Sequence, residues 1–98
     1  MPASSDQPAD DGTVTVTATL PAGVALHARP AADLVRAASK LGAPVTLAVN
    51  GKRANARSIL EVLALGATGG TTVAVSATGP DAASVAAAIA EVIATLHG

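Results

Sequence analysis

The sequence contains no phenylalanine, tyrosine, tryptophan or cysteine. Without cysteine the chain cannot form disulfides or thiolate metal sites, and its two histidines, at opposite ends of the domain, lack the spacing of metal ligands. Because aromatic rings and a basic net charge are both missing, we expect no nucleic-acid partner. No apolar run is long enough to cross a bilayer, and the N-terminus lacks the pattern of a signal peptide. These absences predict a cytoplasmic protein without a metal, another cofactor or a membrane partner.

Aliphatic side chains are abundant, since hydrophobic residues make up 50% of the 98-residue chain and are almost all Ala, Val, Leu and Ile. This length favours one domain with a single modest core. Residues 1–12 are rich in Pro, Ser and Asp and contain almost no bulky apolar side chain, so they cannot offset the entropy of ordering themselves. We therefore predict a disordered tail over residues 1–12 and a folded domain over residues 13–98.

The periodicity of apolar residues predicts the order of secondary structure. Strands are expected at 13–20, 45–49, 52–55 and 71–77, and helices at about 28–40, at 59–65 and in the C-terminal stretch after Asp81. Asn50-Gly51 is a favoured two-residue hairpin turn, so the second and third strands should pair antiparallel. The order βαββαβα predicts an α+β fold: a four-stranded antiparallel sheet, with the fourth strand between the first and second, covered on one face by helices.

The segment from Gly23 to Pro30 contains the residues with the clearest chemical meaning. Pro30 suits the first turn of a helix, which places His27 at the helix N-terminus and Arg29 just inside it. Free backbone N–H groups and the helix dipole favour an anion at such an end, and Arg29 adds a cation. A phosphorylated imidazole would carry its negative charge where this field is most favourable. A helix cap or a solvated surface residue is the competing interpretation of His27 on these grounds alone.

The segment Leu26-His27-Ala28-Arg29-Pro30-Ala31 resembles the active-site signature of HPr, the histidine-containing phosphocarrier of the phosphoenolpyruvate-dependent sugar phosphotransferase system. A second block, from Asn50 to Gly66, resembles the other signature of that family and follows the histidine at the family's separation, without gaps. The resemblance extends from about Thr13 to Leu96. It implies the HPr-like open-faced β-sandwich for the folded domain.

The resemblance also implies a function and a set of site residues. His27 would accept a phosphoryl group from phosphorylated enzyme I and pass it to a sugar-specific enzyme IIA, so the protein would be a phosphoryl carrier and not an enzyme. Arg29 and the backbone N–H groups of Ala28 and Arg29 would bind the phosphoryl oxygens. The apolar side chains that fall where the family docks its partner proteins are Ile59, Leu60 and Leu63.

Ser58 has two interpretations, because a serine directly before a helix is an ordinary N-cap. By resemblance it is the serine that is phosphorylated for regulation in some family members. That role would add a serine kinase or phosphatase and transcriptional regulators to the partners of a monomeric protein.

Two positions depart from the family pattern. Ala25 stands where the family usually has glycine, so the loop entering the site is expected to differ in shape, and Glu61 places an acid where some members are basic.

Two other functions stay open. One is a regulatory interaction module in which phosphorylation is only a signal. The other is the phosphocarrier of a related relay, serving dihydroxyacetone kinase or a nitrogen-linked branch.

Overall fold

Within residues 12–97, which the computed structural model describes, seven elements follow one another in the order βαββαβα. They are β1 (Thr13–Thr19), α1 (Ala28–Leu41), β2 (Val45–Val49), β3 (Lys52–Asn55), α2 (Ile59–Ala64), β4 (Thr72–Thr78) and α3 (Ala82–Ala94). The predicted order is confirmed, and the predicted boundaries differ by about one residue. Apart from Gly12, the predicted tail lies outside the described residues.

The strands form one antiparallel sheet in the order β1-β4-β2-β3. Val75 of β4 is paired with Val16 of β1 on one side and with Leu47 of β2 on the other, so β4 lies between them as predicted. The turn between β2 and β3 consists of Asn50 and Gly51, with φ of 49° and 83°. Positive φ at both positions is what a type I′ hairpin turn requires.

The two faces of the sheet differ in chemistry because successive side chains point to opposite sides. One face packs against the helices and carries aliphatic side chains, of which Leu47, Val73 and Val75 are fully buried. The opposite face carries hydroxyl groups, and the Oγ1 of Thr15 and the Oγ of Ser76 pair across β1 and β4 at 2.9 Å. The helices therefore cover one face only, and the sheet is open on the other.

Helices α1 and α3 supply the second layer of the core. Leu34 of α1 and Ile89 and Ile93 of α3 have no exposed surface, and each belongs to the same apolar cluster as the inner face of the sheet. Alanines that are also fully buried let the helices approach closely: Ala31, Ala38 and Ala86. In the absence of aromatic side chains, aliphatic residues fill the core, and the small alanine side chains allow close packing of the layers.

The ends of the helices show two differences from the predicted pattern. The apolar spacing of α1 predicts that Leu41 is buried with Leu34 and Ala38, but Leu41 is 41% exposed because it is the last residue of the helix. Gly42 ends the helix in the left-handed conformation, with φ of 70°. Asp81 occupies the N-cap position of α3 as predicted, but its side chain makes no capping hydrogen bond within residues 12–97.

Candidate functional site

The loop that leads from β1 to His27 is held by backbone hydrogen bonds to a second loop, between α2 and β4. The N–H of Leu26 donates to the C=O of Ala67 at 2.9 Å, and the N–H of Leu20 donates to the C=O of Thr71 at 3.0 Å. The N–H of Gly70 donates to the C=O of Leu20 at 2.9 Å. Because Leu20 and Leu26 are also buried, the approach to His27 is anchored at both of its ends.

Gly69 forms the closest contact between these two loops. A Cβ at this position would lie 2.6 Å from the backbone N of Gly23 and 2.9 Å from the backbone O of Pro21. Backbone atoms cannot rotate away as a side chain does, so the contact requires glycine unless the loops move apart. Gly69-Gly70 in the sequence predicts a turn, but nothing in the sequence indicates which loop Gly69 contacts.

Helix α1 begins at Ala28, and His27 is its N-cap residue with an extended backbone, which confirms the predicted helix start. The N–H of His27 donates to the C=O of Ala25 at 2.9 Å, and the N–H of Ala31 donates to the C=O of His27 at 2.9 Å. Pro30 has no N–H to donate. Within residues 12–97 the N–H groups of Ala28 and Arg29 therefore have no hydrogen-bond acceptor. They are the donors that the helix terminus offers to an anion.

The charge at this end of α1 is positive. His27, Ala28 and Arg29 are exposed, whereas the next two residues, Pro30 and Ala31, are buried. The first turn of α1 contains no acidic residue. A guanidinium, two backbone donors and an imidazole thus stand together in solvent, which suits a dianionic phosphoryl group.

Among residues 12–97, Arg29 forms no ion pair with a carboxylate. In the part of the chain that the structure describes, the one ion pair joins Asp33 and Arg36, farther along α1. The Arg29 guanidinium is therefore available to an incoming anion.

Ala25 fits the loop without a left-handed backbone. Among the non-glycine residues of the described chain, only Asn50 has a positive φ. The positive φ in this loop is at Gly23, with 84°, where an added Cβ would meet no atom within 4 Å. The C=O of Ala25 accepts the hydrogen bond from the N–H of His27, so the residue takes part in presenting the histidine.

Ser58 caps α2, as predicted, because its Oγ accepts a hydrogen bond from the N–H of Glu61 at 3.3 Å. The side chain of Glu61 has a role that the sequence analysis missed: its Oε1 accepts from the N–H of Asn55 at 2.8 Å. The C=O of Asn55 accepts from the N–H of Ser58 at 2.9 Å. These contacts close part of the free edge of β3. The spacing of serine and glutamate is that of a capping box, in which Glu61 would accept from the N–H of Ser58. Here the N–H of Ser58 donates to Asn55 instead, so the motif indicates that the Glu61 side chain turns back toward the start of α2 but not that it contacts Asn55.

Helix α2 buries Val62 and leaves three of its apolar side chains in solvent. The exposed fractions are 37% for Ile59, 77% for Leu60 and 36% for Leu63. Apart from Glu61, every residue of this short helix is apolar, so the one side that packs on the protein cannot bury them all. Helix α2 packs against α1, so these side chains lie on the neighbour of the helix that begins at His27.

Comparison with known proteins identifies the family. A family model described as the phosphorylation site of the HPr component of the phosphotransferase system matches residues 13–95. The chain belongs to the HPr family. It is thus a member of a family of phosphocarriers of the phosphotransferase system, and its sheet and helices have the HPr arrangement.

Solved HPr structures agree with this assignment. An HPr from Thermoanaerobacter tengcongensis, crystallised as HPr-C-His, is 35% identical over 82% of this chain and 90% of its own, with a TM-score of 0.75. The phosphocarrier protein HPr from Bacillus anthracis strain Ames is 28% identical over 83% of this chain and 96% of its own, with a TM-score of 0.77. An HPr dimer from T. tengcongensis is 38% identical over 69% of this chain and 78% of its own, with a TM-score of 0.62. Since an HPr is known as a dimer, a monomeric state of this chain stays a prediction.

Residues 12–97 show neither a membrane-spanning helix nor a metal-binding cluster. Across residues 12–97, no helix is both long and apolar enough to span a membrane. Over the same range, His, Asp and Glu side chains form no cluster of three or more that could hold a metal ion.

Proposed function

We propose that this HPr accepts a phosphoryl group from phosphorylated enzyme I on His27 and passes it to a sugar-specific enzyme IIA. The observation that carries the proposal is the exposed imidazole at the start of α1, beside two backbone N–H groups without acceptors and an unpaired guanidinium. Family membership supports the same role. In this proposal the protein is a cytoplasmic carrier that is itself modified and restored, not an enzyme.

In the uptake step, Nδ1 of His27 forms a bond to phosphorus while the bond between phosphorus and its carrier atom on enzyme I breaks. In the delivery step the same exchange takes place with a histidine of enzyme IIA, and His27 returns to its free form. Such transfers depend on in-line positioning and on stabilising the charge of the equatorial oxygens. Arg29 and the N–H groups of Ala28 and Arg29 supply that charge stabilisation at one place.

The proposal is tested by the intact mass of the protein after incubation with phosphoenolpyruvate and enzyme I. We expect a gain of one phosphoryl group that is lost in acid, as a phosphohistidine requires. The phosphorylated protein is then offered to each class of acceptor in turn. We expect transfer to a sugar-specific enzyme IIA and none to the acceptor of a dihydroxyacetone kinase or of a nitrogen-linked relay. An unchanged mass with cognate enzyme I would instead support a regulatory interaction module.

Sedimentation at the assay concentration separates a monomer from a dimer.

The exposed apolar side chains of α2 are the proposed docking surface for both partners, with Leu60 at its centre. We expect Leu60→Ser to weaken binding to enzyme I about tenfold, because an apolar anchor is lost from the interface. Isothermal titration calorimetry with enzyme I measures this change. Since Leu60 is 77% exposed, the free energy of unfolding should change by less than about 0.5 kcal/mol.

Leu41→Ser is the matched control for this prediction. Leu41 is also an exposed leucine, but it lies at the far end of α1, about 20 Å along the helix axis from His27. Its replacement should leave the affinity for enzyme I unchanged. Equal losses of affinity in Leu41→Ser and Leu60→Ser would contradict a docking surface on α2.

Phosphorylation of Ser58 is the proposed means of regulation by a serine kinase and phosphatase, with transcriptional regulators as further partners. A phosphate would place about two negative charges next to Ile59, within the docking surface. We expect Ser58→Asp, which keeps an N-cap side chain, to bind enzyme I about fivefold more weakly, a change of ~1 kcal/mol. Ser58→Ala should keep the affinity but lose about 1 kcal/mol of stability with the cap. Wild-type affinity and uptake rate in Ser58→Asp would refute this regulation.

A further inference from the structure

A groove opens at the free edge of the sheet, between β3 and the start of α2, and the proposed phosphoryl transfer does not use it. Its volume is about 340 Å³, and Pro44 and Val45, at the start of β2, form one side. The other lining residues are Thr46, Arg53, Ala54, Asn55, Arg57 and Glu61. A cavity of this size accommodates a small metabolite and not a large cofactor.

The groove is positively charged, with two guanidinium groups against one carboxylate. Neither Arg53 nor Arg57 forms an ion pair within residues 12–97, where Asp33 and Arg36 form the one ion pair. The guanidinium group of arginine binds phosphate and carboxylate oxygens through paired N–H donors. Both arginines of the groove are therefore available to an anion that enters it.

Two hydrogen bonds to backbone N–H groups orient the polar groups of Asn55 and Glu61. The Oδ1 of Asn55 accepts from the N–H of Arg57 at 2.9 Å, so the side-chain NH₂ of Asn55 is the end without an acceptor among the described residues. The Oε1 of Glu61 accepts from the N–H of Asn55 at 2.8 Å. The Oε2 of Glu61 accepts no hydrogen bond from residues 12–97, and a carboxylate oxygen suits a hydroxyl donor.

We propose that this groove binds a small phosphate monoester that carries a hydroxyl group. The phosphate dianion lies between Arg53 and Arg57 and accepts from the NH₂ of Asn55, and the hydroxyl group donates to the carboxylate of Glu61. A monocarboxylate carries one negative charge, which does not balance two guanidinium groups. A phosphate ester without a hydroxyl group has no hydrogen-bond donor for Glu61, so the two anionic groups would face each other directly. The three charged side chains thus select both ends of the ligand.

The test is a titration of the full-length protein with sn-glycerol 3-phosphate at constant ionic strength, followed by ¹H–¹⁵N correlation spectra. We expect saturable shifts at the amides of Arg53, Asn55 and Arg57. Arg53→Ser and Arg57→Ser should each raise the dissociation constant about tenfold or more, since each loses a charge-assisted hydrogen bond. Arg36→Ser, at an exposed arginine of α1 outside the groove, should leave the dissociation constant unchanged. Equal dissociation constants in all four proteins would overturn the site.

Inorganic phosphate and Glu61→Gln test the hydroxyl contact separately. Glutamine keeps an oxygen that can accept from the N–H of Asn55, so the edge of β3 stays closed. Glu61→Gln should bind inorganic phosphate more tightly and lose the preference for glycerol 3-phosphate. The proposed hydroxyl contact is wrong if the wild type binds both compounds with the same dissociation constant and if Glu61→Gln lowers both dissociation constants by the same factor. The titration contains no enzyme I or phosphoenolpyruvate, so its outcome is independent of the carrier function.

Discussion

His27→Ala abolishes phosphoryl uptake from phosphoenolpyruvate and enzyme I, because it removes the nitrogen that bonds to phosphorus. Arg29 and the two free N–H groups of α1 can still bind an anion, but they cannot hold the phosphoryl group covalently. The expected loss is complete and not graded, since no other side chain near the start of α1 has a nucleophilic ring nitrogen. Intact-mass spectra recorded over the time in which the wild type is fully modified measure this result.

His97→Ala is the matched control, because His97 is the other histidine of the chain and is also exposed. It should take up a phosphoryl group at the wild-type rate. Both imidazoles are in solvent, so neither replacement should change the free energy of unfolding by more than about 0.5 kcal/mol. A phosphorylated His27→Ala protein, or an unmodified His97→Ala protein, would show that the carrier atom has been assigned to the wrong residue.

Gly69→Ala should disturb the phosphoryl site from a distance, through the loop that precedes His27. The added Cβ would lie 2.6 Å from the backbone N of Gly23, so the two loops have to move apart. Overpacking of this kind costs about 1–3 kcal/mol of stability. Because a displacement of about 1 Å can lower a reaction rate about a hundredfold, we expect phosphoryl uptake at least about tenfold slower. Urea denaturation measures the loss of stability, and rapid-quench kinetics measure the rate of phosphoryl uptake.

Gly42→Ala separates the effect on the site from the effect on stability. At Gly42 an added Cβ meets no atom within 4 Å, but the φ of 70° is unfavourable for alanine, which costs about 1 kcal/mol. This variant should therefore lose stability and keep the wild-type rate of uptake. A wild-type rate in Gly69→Ala, or an equally slow rate in Gly42→Ala, would mean that the contact between the loops does not position His27.

Local sequence patterns predicted the helix that carries His27. Pro30 at the third position and Gly42 after the end determine where α1 starts and stops, and the structure agrees at both ends. These signals are local because each depends on the conformation of one residue and its neighbours along the chain. The same reasoning predicted Ser58 as the cap of α2 and the turn at Asn50-Gly51, and both are present.

The contacts that only the structure revealed join residues that are far apart along the chain or that belong to different elements. Gly69 and Gly23 meet because β1 and β4 pair and bring the two adjoining loops together. The groove exists because the start of β2 and the end of β3 adjoin α2. For α2 the resemblance had already named Ile59, Leu60 and Leu63, and the packing of the helix against α1 and β3 leaves these three side chains exposed.

By itself, the sequence determined the order of the elements and the residues at the start of α1, since periodicity, caps and turns act over a few positions. The strand order followed from that order of elements through the general rules for crossover connections. Its two signatures also indicated the HPr family. The tertiary structure decided the role of Gly69, the closing of the β3 edge by Glu61 and the groove with its two arginines. These features arise from distances between backbone segments, which are set by the packing of the whole core and leave no local pattern of residues.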